Sequence, residues 1–214
     1  MDKYSNRQEA GIVLANELHG YAYRKDVIVL ALPRGGVPVA YEIAKALKVP
    51  LDVFIVRKLG VPGHAELAFG AIAMGGQAVY NQDIISHLSI PPTEIQAVID
   101  AEKKELKRRE VAYRGNHTFP VIRDKVVILV DDGIATGASM RAAIQAIQAL
   151  QPAEIIVAVP VADKLICREM KILVDELICP KQPTELYAVG AWYVDFAQTE
   201  DDEVHQLLKA ARTE

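Results

Sequence analysis

Short apolar runs recur along the chain and alternate with segments whose apolar residues are three or four positions apart. Five of these runs are interpreted as strands: Val27–Leu32, Leu51–Val56, Val126–Val130, Ile155–Val159 and Leu173–Ile178. The run Val126–Val130 is uninterrupted and mostly β-branched, which is typical of a strand buried on both faces of a parallel sheet. The helical spacing between the runs predicts crossover helices. The pattern therefore predicts an α/β fold with a mostly parallel sheet of about five strands, flanked by helices.

The predicted helices are 6–19, a segment beginning near Pro38, 93–114, a segment around Met140–Ile147, 162–171 and a final segment after Thr199. Phe69–Met74 and Gln77–Asn81 flank two glycines, which predicts a small antiparallel hairpin with a two-residue turn. Residues 59–68 contain glycine and proline and are predicted to be irregular and mobile. No linker or repeat interrupts the chain, so one domain (1–214) is predicted, with a core at about 27–180 and a C-terminal hood or tail at 181–214.

Composition narrows the class of protein. The 214 residues are 51% hydrophobic, enough for one substantial core, and the formal net charge of −4 gives no reason to expect nucleic acid as a partner. Two cysteines are too few for a disulfide framework and match no metal motif. The chain begins without an apolar leader, and no apolar run is long enough for a membrane span. We expect a cytoplasmic protein that binds neither nucleic acid nor membrane.

The segment that follows Val130 contains the strongest candidates for ligand-binding residues. Asp131 and Asp132 stand at the carboxyl end of the buried strand, where ligands of open α/β sheets collect. The next loop contains the small or hydroxyl-bearing residues Ala135, Thr136, Gly137, Ala138 and Ser139. Its amides, its hydroxyls and the following helix N-terminus suit a phosphate, whereas the aspartates suit sugar hydroxyls or Mg²⁺ on the same ligand. Together these features indicate a ribose 5-phosphate.

Two further junctions add positive charge. Arg34, Gly35 and Gly36 follow the first strand, where glycines let amides converge on an anion and arginine supplies a fork-shaped charge. An ordinary tight turn would also explain that short motif. Arg57 and Lys58 come at the end of the predicted second strand, where they either contribute to the same anion site or are simply solvated.

The segment Val127–Ser139 resembles the signature of the type I phosphoribosyltransferases, which bind 5-phosphoribosyl-1-pyrophosphate (PRPP). One position departs from that signature, because Gly133 stands where an aliphatic residue is usual. The resemblance implies ribose binding by Asp131 and Asp132 and 5′-phosphate binding by residues 135–139. It implies pyrophosphate binding by Arg34, Gly35, Gly36, Arg57 and Lys58, with Arg34 and Lys58 as the catalytic residues.

The resemblance also implies Mg²⁺ as cofactor, carried by PRPP near Asp131 or Asp132 rather than bound directly by the protein. A cis non-proline peptide is expected at Arg34-Gly35 or at a bond beside it. Residues 59–68 would then close over the reacting centre, where His64 and Glu66 are either contacts of the pyrophosphate or surface residues. The expected partners are PRPP, a small-molecule acceptor and a second copy of the chain in a homodimer, whose site Arg109 and Arg114 could reach.

The acceptor is not identified by the sequence. Ala135 stands where 6-oxopurine enzymes of the family have an aspartate, which argues against hypoxanthine or guanine. Trp192 and Tyr193 form a possible acceptor site that stacks a base, although they could equally pack the tail against the domain. A non-catalytic PRPP-binding regulator remains the alternative function. Another doubly wound nucleotide-binding enzyme is disfavoured, since no Gly-x-Gly-x-x-Gly or Walker motif is present.

Overall fold

The computed structural model describes residues 2–76 and 78–213, and of Ala65 and Glu66 only the backbone. The strands are β1 (Val27–Ala31), β2 (Leu51–Val53), β3 (Val56–Val61), β4 (His64–Ala73), β5 (Ala78–Tyr80), β6 (Val126–Val130), β7 (Glu154–Ala158) and β8 (Glu176–Ile178). The helices are α1 (Arg7–Glu17), α2 (Gly36–Leu47), α3 (Gln82–His87), α4 (Pro92–Arg114), α5 (Ala138–Gln148), α6 (Lys164–Leu173) and α7 (Asp201–Thr213). Short 3₁₀ turns lie at His19–Tyr21, Met74–Gly76 and Val189–Trp192.

The main sheet has the order β2-β1-β6-β7-β8, and all four strand pairings are parallel. Every residue of β1 and β6 is buried, as the uninterrupted apolar runs predicted. The α/β fold with a five-stranded parallel sheet and flanking helices is therefore confirmed. Because β6 is the middle strand, its carboxyl end opens at the centre of one sheet edge.

The predicted helices are present, with shifts of one or two residues at their ends. The side chain of Asn6 accepts a hydrogen bond from the amide of Glu9 and caps α1, and α2 begins at Gly36, before Pro38. Among residues 2–76 and 78–213, no helix is long and apolar enough to cross a membrane.

Residues 59–68 were predicted to be irregular, and the structure corrects this. They belong to the antiparallel pair of β3 and β4, whose register shifts twice, between Leu59 and Gly60 and between Gly60 and Val61. Leu59 and Phe69 are fully buried, so apolar contacts fix this pair despite its glycines.

The predicted second strand is also divided, because β2 ends at Val53 and β3 begins at Val56. Arg57 and Lys58 consequently lie within β3 rather than at a strand end.

The small hairpin of β4 and β5 is confirmed by antiparallel pairs such as Ile72 with Ala78. Its connection is longer than the predicted two-residue turn, because β4 ends at Ala73 and a 3₁₀ turn follows. Gly75 and Gly76 both have positive φ angles, 82° and 80°, which favour glycine at these positions. Gln77, the predicted first residue of the second strand, lies outside the described residues.

A buried ion pair connects the end of α4 to β2. Arg114 donates from Nε to one carboxylate oxygen of Asp52 at 2.9 Å and from Nη2 to the other at 3.2 Å. Both side chains are less than one-tenth exposed. Arg114 is thus committed inside its own subunit, which corrects the expectation that it reaches a partner's site. Arg109 binds Glu105 of its own helix at 2.8 Å.

We expect Arg114→Met to lower the free energy of unfolding by about 3–5 kcal/mol, because it leaves the Asp52 carboxylate buried without its partner. Urea denaturation measures the loss. The matched control is Arg24→Met, which removes an exposed Arg–Asp pair and should lower the free energy of unfolding far less, because solvent screens that pair. Equal losses for the two variants would contradict the assignment of Asp52–Arg114 as a buried charge pair.

Candidate active site

The carboxyl ends of β1 and β6 meet closely because two glycines leave room for the acidic pair. The amide of Leu32 donates to the carbonyl of Val130 at 2.8 Å, which continues the pairing past β1. A Cβ on Gly35 would lie 2.0 Å from Oδ2 of Asp132, and one on Gly36 would lie 2.8 Å from the Val130 carbonyl oxygen. Any larger residue would push these loops apart. The peptide bond Pro33-Arg34 is cis, which confirms the expected non-proline cis bond beside Arg34-Gly35.

The two aspartates occupy a shielded position above β6. Oδ1 of Asp131 accepts a hydrogen bond from the amide of Asp132 at 2.8 Å. Burial raises the pKa of Asp131 well above its ordinary range, and the neighbouring Asp132 charge raises it further. Burial also raises the pKa of Asp132, whereas the guanidinium of Arg7 opposes that rise.

Arg7 is the residue of this site that the sequence analysis missed. It donates from Nε to Oδ2 of Asp132 at 2.8 Å, and its Nη2 lies 2.8 Å from the same oxygen. Its Nη1 donates to the carbonyl of Ala197 at 2.7 Å, and its guanidinium carbon lies 3.9 Å from the ring centroid of Phe196. The apolar spacing of α1 indicated only which side of the helix is buried, and no local signal connects two residues 125 positions apart.

The loop after the aspartates has the geometry of an anion cradle. Gly137 has a positive φ of 77° and directly precedes α5, and a Cβ there would lie 2.7 Å from Cε of Met170. Thr136 and Ser139 are exposed. Within the described part of the chain, the amides of Thr136, Gly137 and Ser139 donate no hydrogen bond. The amide of Ala138 donates to the Thr136 hydroxyl at 3.5 Å, and the other three amides remain available to a ligand at the N-terminus of α5.

Steric crowding explains why glycine stands at position 133, where the family signature usually has an aliphatic residue. A Cβ at this position would lie 2.5 Å and 2.9 Å from the two methyl carbons of Val189 and 3.1 Å from a methyl of Val161. The C-terminal segment therefore fills the space that an aliphatic side chain of residue 133 would occupy. The departure reflects packing of the tail beside the acidic pair.

Arg34 points toward the N-terminus of α7. Its Nη1 lies 3.2 Å from a carboxylate oxygen of Glu200 and 3.6 Å from one of Asp201. The hydroxyl of Tyr113 donates to the same Asp201 oxygen at 2.9 Å. The Arg34 side chain is about one-third exposed, so these carboxylates are exchangeable partners that an anionic ligand could replace.

Arg57 and Lys58 point to different surroundings. Nε of Arg57 lies 2.6 Å from a carboxylate oxygen of Glu102 on α4. Lys58 is exposed and lines a groove of about 530 Å³ together with Ala138, at the start of α5, and Arg141. The structure thus places Lys58 near the phosphate loop and pairs Arg57 with α4. Their pyrophosphate contacts stay predictions.

The hairpin residues predicted to close over the centre are only partly described. His64 is exposed at the start of β4, and the side chain of Glu66 lies outside the described residues. Their contacts with pyrophosphate also stay predictions.

The aromatic residues of the tail mainly support the site. Tyr193 is 3% exposed, and its hydroxyl donates to the Asp132 carbonyl at 2.6 Å. Its ring packs against Phe196 and against Tyr4 of the N-terminal segment, with centroids 4.9 Å and 5.6 Å away. Burial raises the pKa of Tyr193, as does the charge of Asp132, so its hydroxyl remains a donor. Trp192 is half-buried, and its role in acceptor binding stays a prediction.

Comparison with known proteins identifies the fold and its family. The family model described as "Phosphoribosyl transferase domain" matches residues 4–187. A protein of Mycobacterium tuberculosis named "Putative phosphoribosyl transferase Rv0571c" is 41% identical over 211 residues, which cover 99% of this chain and 47% of that protein. The chain therefore spans about half the length of the curated relatives it matches.

Two solved structures extend the comparison. The TT1426 protein from Thermus thermophilus has a TM-score of 0.83 and 35% identity, covering 96% of this chain and 97% of that chain. The AQ2163 protein from Aquifex aeolicus, at 12% identity and a TM-score of 0.51, covers 95% of this chain and 85% of that chain and shares the fold. From the matched domain and these relatives, the chain belongs to the phosphoribosyl transferase family.

Proposed function

We propose that this chain is a phosphoribosyltransferase that binds PRPP and transfers its phosphoribosyl group to an acceptor, with release of pyrophosphate. The observation that carries the proposal is the contact between the tips of β1 and β6. It places the Arg34-Gly35-Gly36 loop against the Asp131-Asp132 pair, with the amides of residues 135–139 beyond. The three parts of PRPP would then bind to three adjoining groups, with the pyrophosphate at the cationic loop, the ribose at the acidic pair and the 5′-phosphate at residues 135–139.

The residues suggest how the reaction is assisted. In the transition state, positive charge develops on the ribose and negative charge on the departing pyrophosphate. Arg34 would stabilise the leaving group once it exchanges Glu200 and Asp201 for phosphate oxygens. Asp131 and Asp132 would accept hydrogen bonds from the ribose hydroxyls, and residues 135–139 would hold the 5′-phosphate. Such a site works by orientation and charge stabilisation and needs no protein nucleophile.

The donor set fits a Mg²⁺ ion that is bound mainly by the substrate. No three His, Cys, Asp or Glu side chains in the described part of the chain converge on one point. Mg²⁺ commonly binds one or two carboxylates together with substrate phosphates, and Asp131 or Asp132 would be the nearest carboxylates here. When bound with PRPP, the ion would neutralise part of the pyrophosphate charge.

The acceptor is left open by these residues. Ala135 is exposed at the start of the phosphate loop and offers no carboxylate to a base, so a 6-oxopurine is not proposed. The direct experiment incubates the protein with PRPP, Mg²⁺ and a panel of nucleobases and follows pyrophosphate release. Release with one base supports a transferase. Tight PRPP binding without release in any mixture would instead favour the regulatory alternative.

We expect Thr136→Val to weaken PRPP binding by about 1–3 kcal/mol, because valine has the side-chain shape of threonine but lacks the hydroxyl that would bind the phosphate. Isothermal titration calorimetry measures the affinity. Thr118→Val is the matched control, since Thr118 is exposed in the connection between α4 and β6. An unchanged affinity of Thr136→Val would refute the assigned phosphate site.

We expect Arg34→Met to weaken PRPP binding by about 10- to 100-fold, the value of a hydrogen bond to a charged group. Binding of ribose 5-phosphate, which lacks the pyrophosphate, should stay the same. Arg108→Met is a suitable control, because Arg108 also lies near Asp201, at 3.8 Å, yet belongs to α4. Equal losses for the two ligands would show that Arg34 does not serve the pyrophosphate.

A further inference from the structure

We infer that Arg7 is a positioning residue of the proposed ribose site, where its guanidinium holds Asp132 so that one carboxylate oxygen faces a sugar hydroxyl. The inference rests on the proposed function and deepens it. It assigns a role to the N-terminal helix, which otherwise only packs against the domain. The supporting observations are the bonding of Asp132, the anchoring of Arg7 and the charge of the pair.

The two oxygens of Asp132 have different surroundings. Both contacts from Arg7, each of 2.8 Å, reach Oδ2. Neither of these contacts reaches Oδ1, and the Asp131 carboxylate lies within hydrogen-bonding reach of Asp132. Arg7 thus engages Oδ2 and leaves Oδ1 to an incoming hydroxyl donor.

Arg7 itself is held in place from several sides. Its side chain is 12% exposed, with the ring of Phe196 at 3.9 Å from the guanidinium carbon and the carbonyl of Ala197 at 2.7 Å from Nη1. The planar fork makes these contacts together, which a lysine ammonium cannot do. The N-terminal helix and the C-terminal segment therefore cooperate in setting the orientation of Asp132.

The charge of Arg7 decides what kind of ligand Asp132 suits. A second cation stabilises a carboxylate less when that carboxylate is already paired with a guanidinium. The oxygen that the guanidinium leaves free still accepts a hydrogen bond from a neutral group. A sugar hydroxyl is such a donor, and bonds to an ionised acceptor are about twice as strong as neutral ones. Arg7 should therefore favour a hydroxylated ribosyl phosphate over one that lacks its ring hydroxyls.

The test compares two ligands without a leaving group, ribose 5-phosphate and 2,3-dideoxyribose 5-phosphate, by isothermal titration calorimetry. The wild-type protein should bind the hydroxylated sugar about 10- to 100-fold more tightly. Arg7→Met should bring the ratio of the two dissociation constants close to one. Arg7→Lys should lose most of the preference although it keeps the charge. The matched control is Arg24→Met. Arg24 likewise pairs with an aspartate and lies over an aromatic ring. This variant should keep the wild-type ratio of the two dissociation constants.

The outcomes separate the inference from the function on which it rests. A wild-type protein that does not distinguish the two sugars overturns the proposed ribose site itself. A wild-type preference that survives in Arg7→Met overturns only the role of Arg7. If Arg7→Met does not fold, as judged by thermal unfolding, Arg7→Lys decides the question in the same way.

A double-mutant cycle with Asp132→Asn adds a second readout. If Arg7 acts through Asp132, the double variant should lose no more discrimination than Asp132→Asn alone. Additive losses would show that Arg7 acts elsewhere and would overturn the inference.

Discussion

The parallel pairing of β1 with β6 is the constraint on which the rest of the site depends. It brings two loops from distant parts of the sequence to one edge of the sheet, and Gly35 and Gly36 allow them to touch. The approach is so close that the Asp132 carboxylate occupies the place of a Cβ at residue 35. The distance between the Arg34-Gly35-Gly36 loop and the acidic pair is therefore set by backbone hydrogen bonds and by the absence of side chains on the two glycines. These determinants are more rigid than surface charges.

The charges of the site are compensated by the two ends of the domain. Arg7, in the first helix, pairs with Asp132, and the carboxylates at the start of α7 pair with Arg34. The ion pair between Arg7 and Asp132 is shielded, because the two side chains are only 12% and 15% exposed. The ion pairs of Arg34 are open to solvent. The acidic side of the site is thus held in a fixed state, and the basic side can exchange partners. That asymmetry would suit the proposed ligand, PRPP, whose sugar must be oriented and whose pyrophosphate must enter and leave.

The tail also completes the site sterically. Val189 takes the space above Gly133, and Tyr193 supports the Asp132 backbone through its hydroxyl. The family match reaches residue 187 and ends just before this segment. The shared domain thus supplies the strands and loops of the site, and in this chain residues beyond the match pack over the acidic pair.

The sequence by itself determined the sheet, its helices and the position of the acidic and glycine-rich loops, because apolar periodicity and strand-end chemistry are local signals. It could not determine that Leu51–Val56 is divided between β2 and β3, since a mostly apolar run does not reveal where the chain changes sheets. It also could not connect Arg7 with Asp132, Arg114 with Asp52 or Val189 with Gly133. Those contacts join residues far apart in the chain, and only the tertiary structure decides which side chains share a buried space and must match in charge and volume.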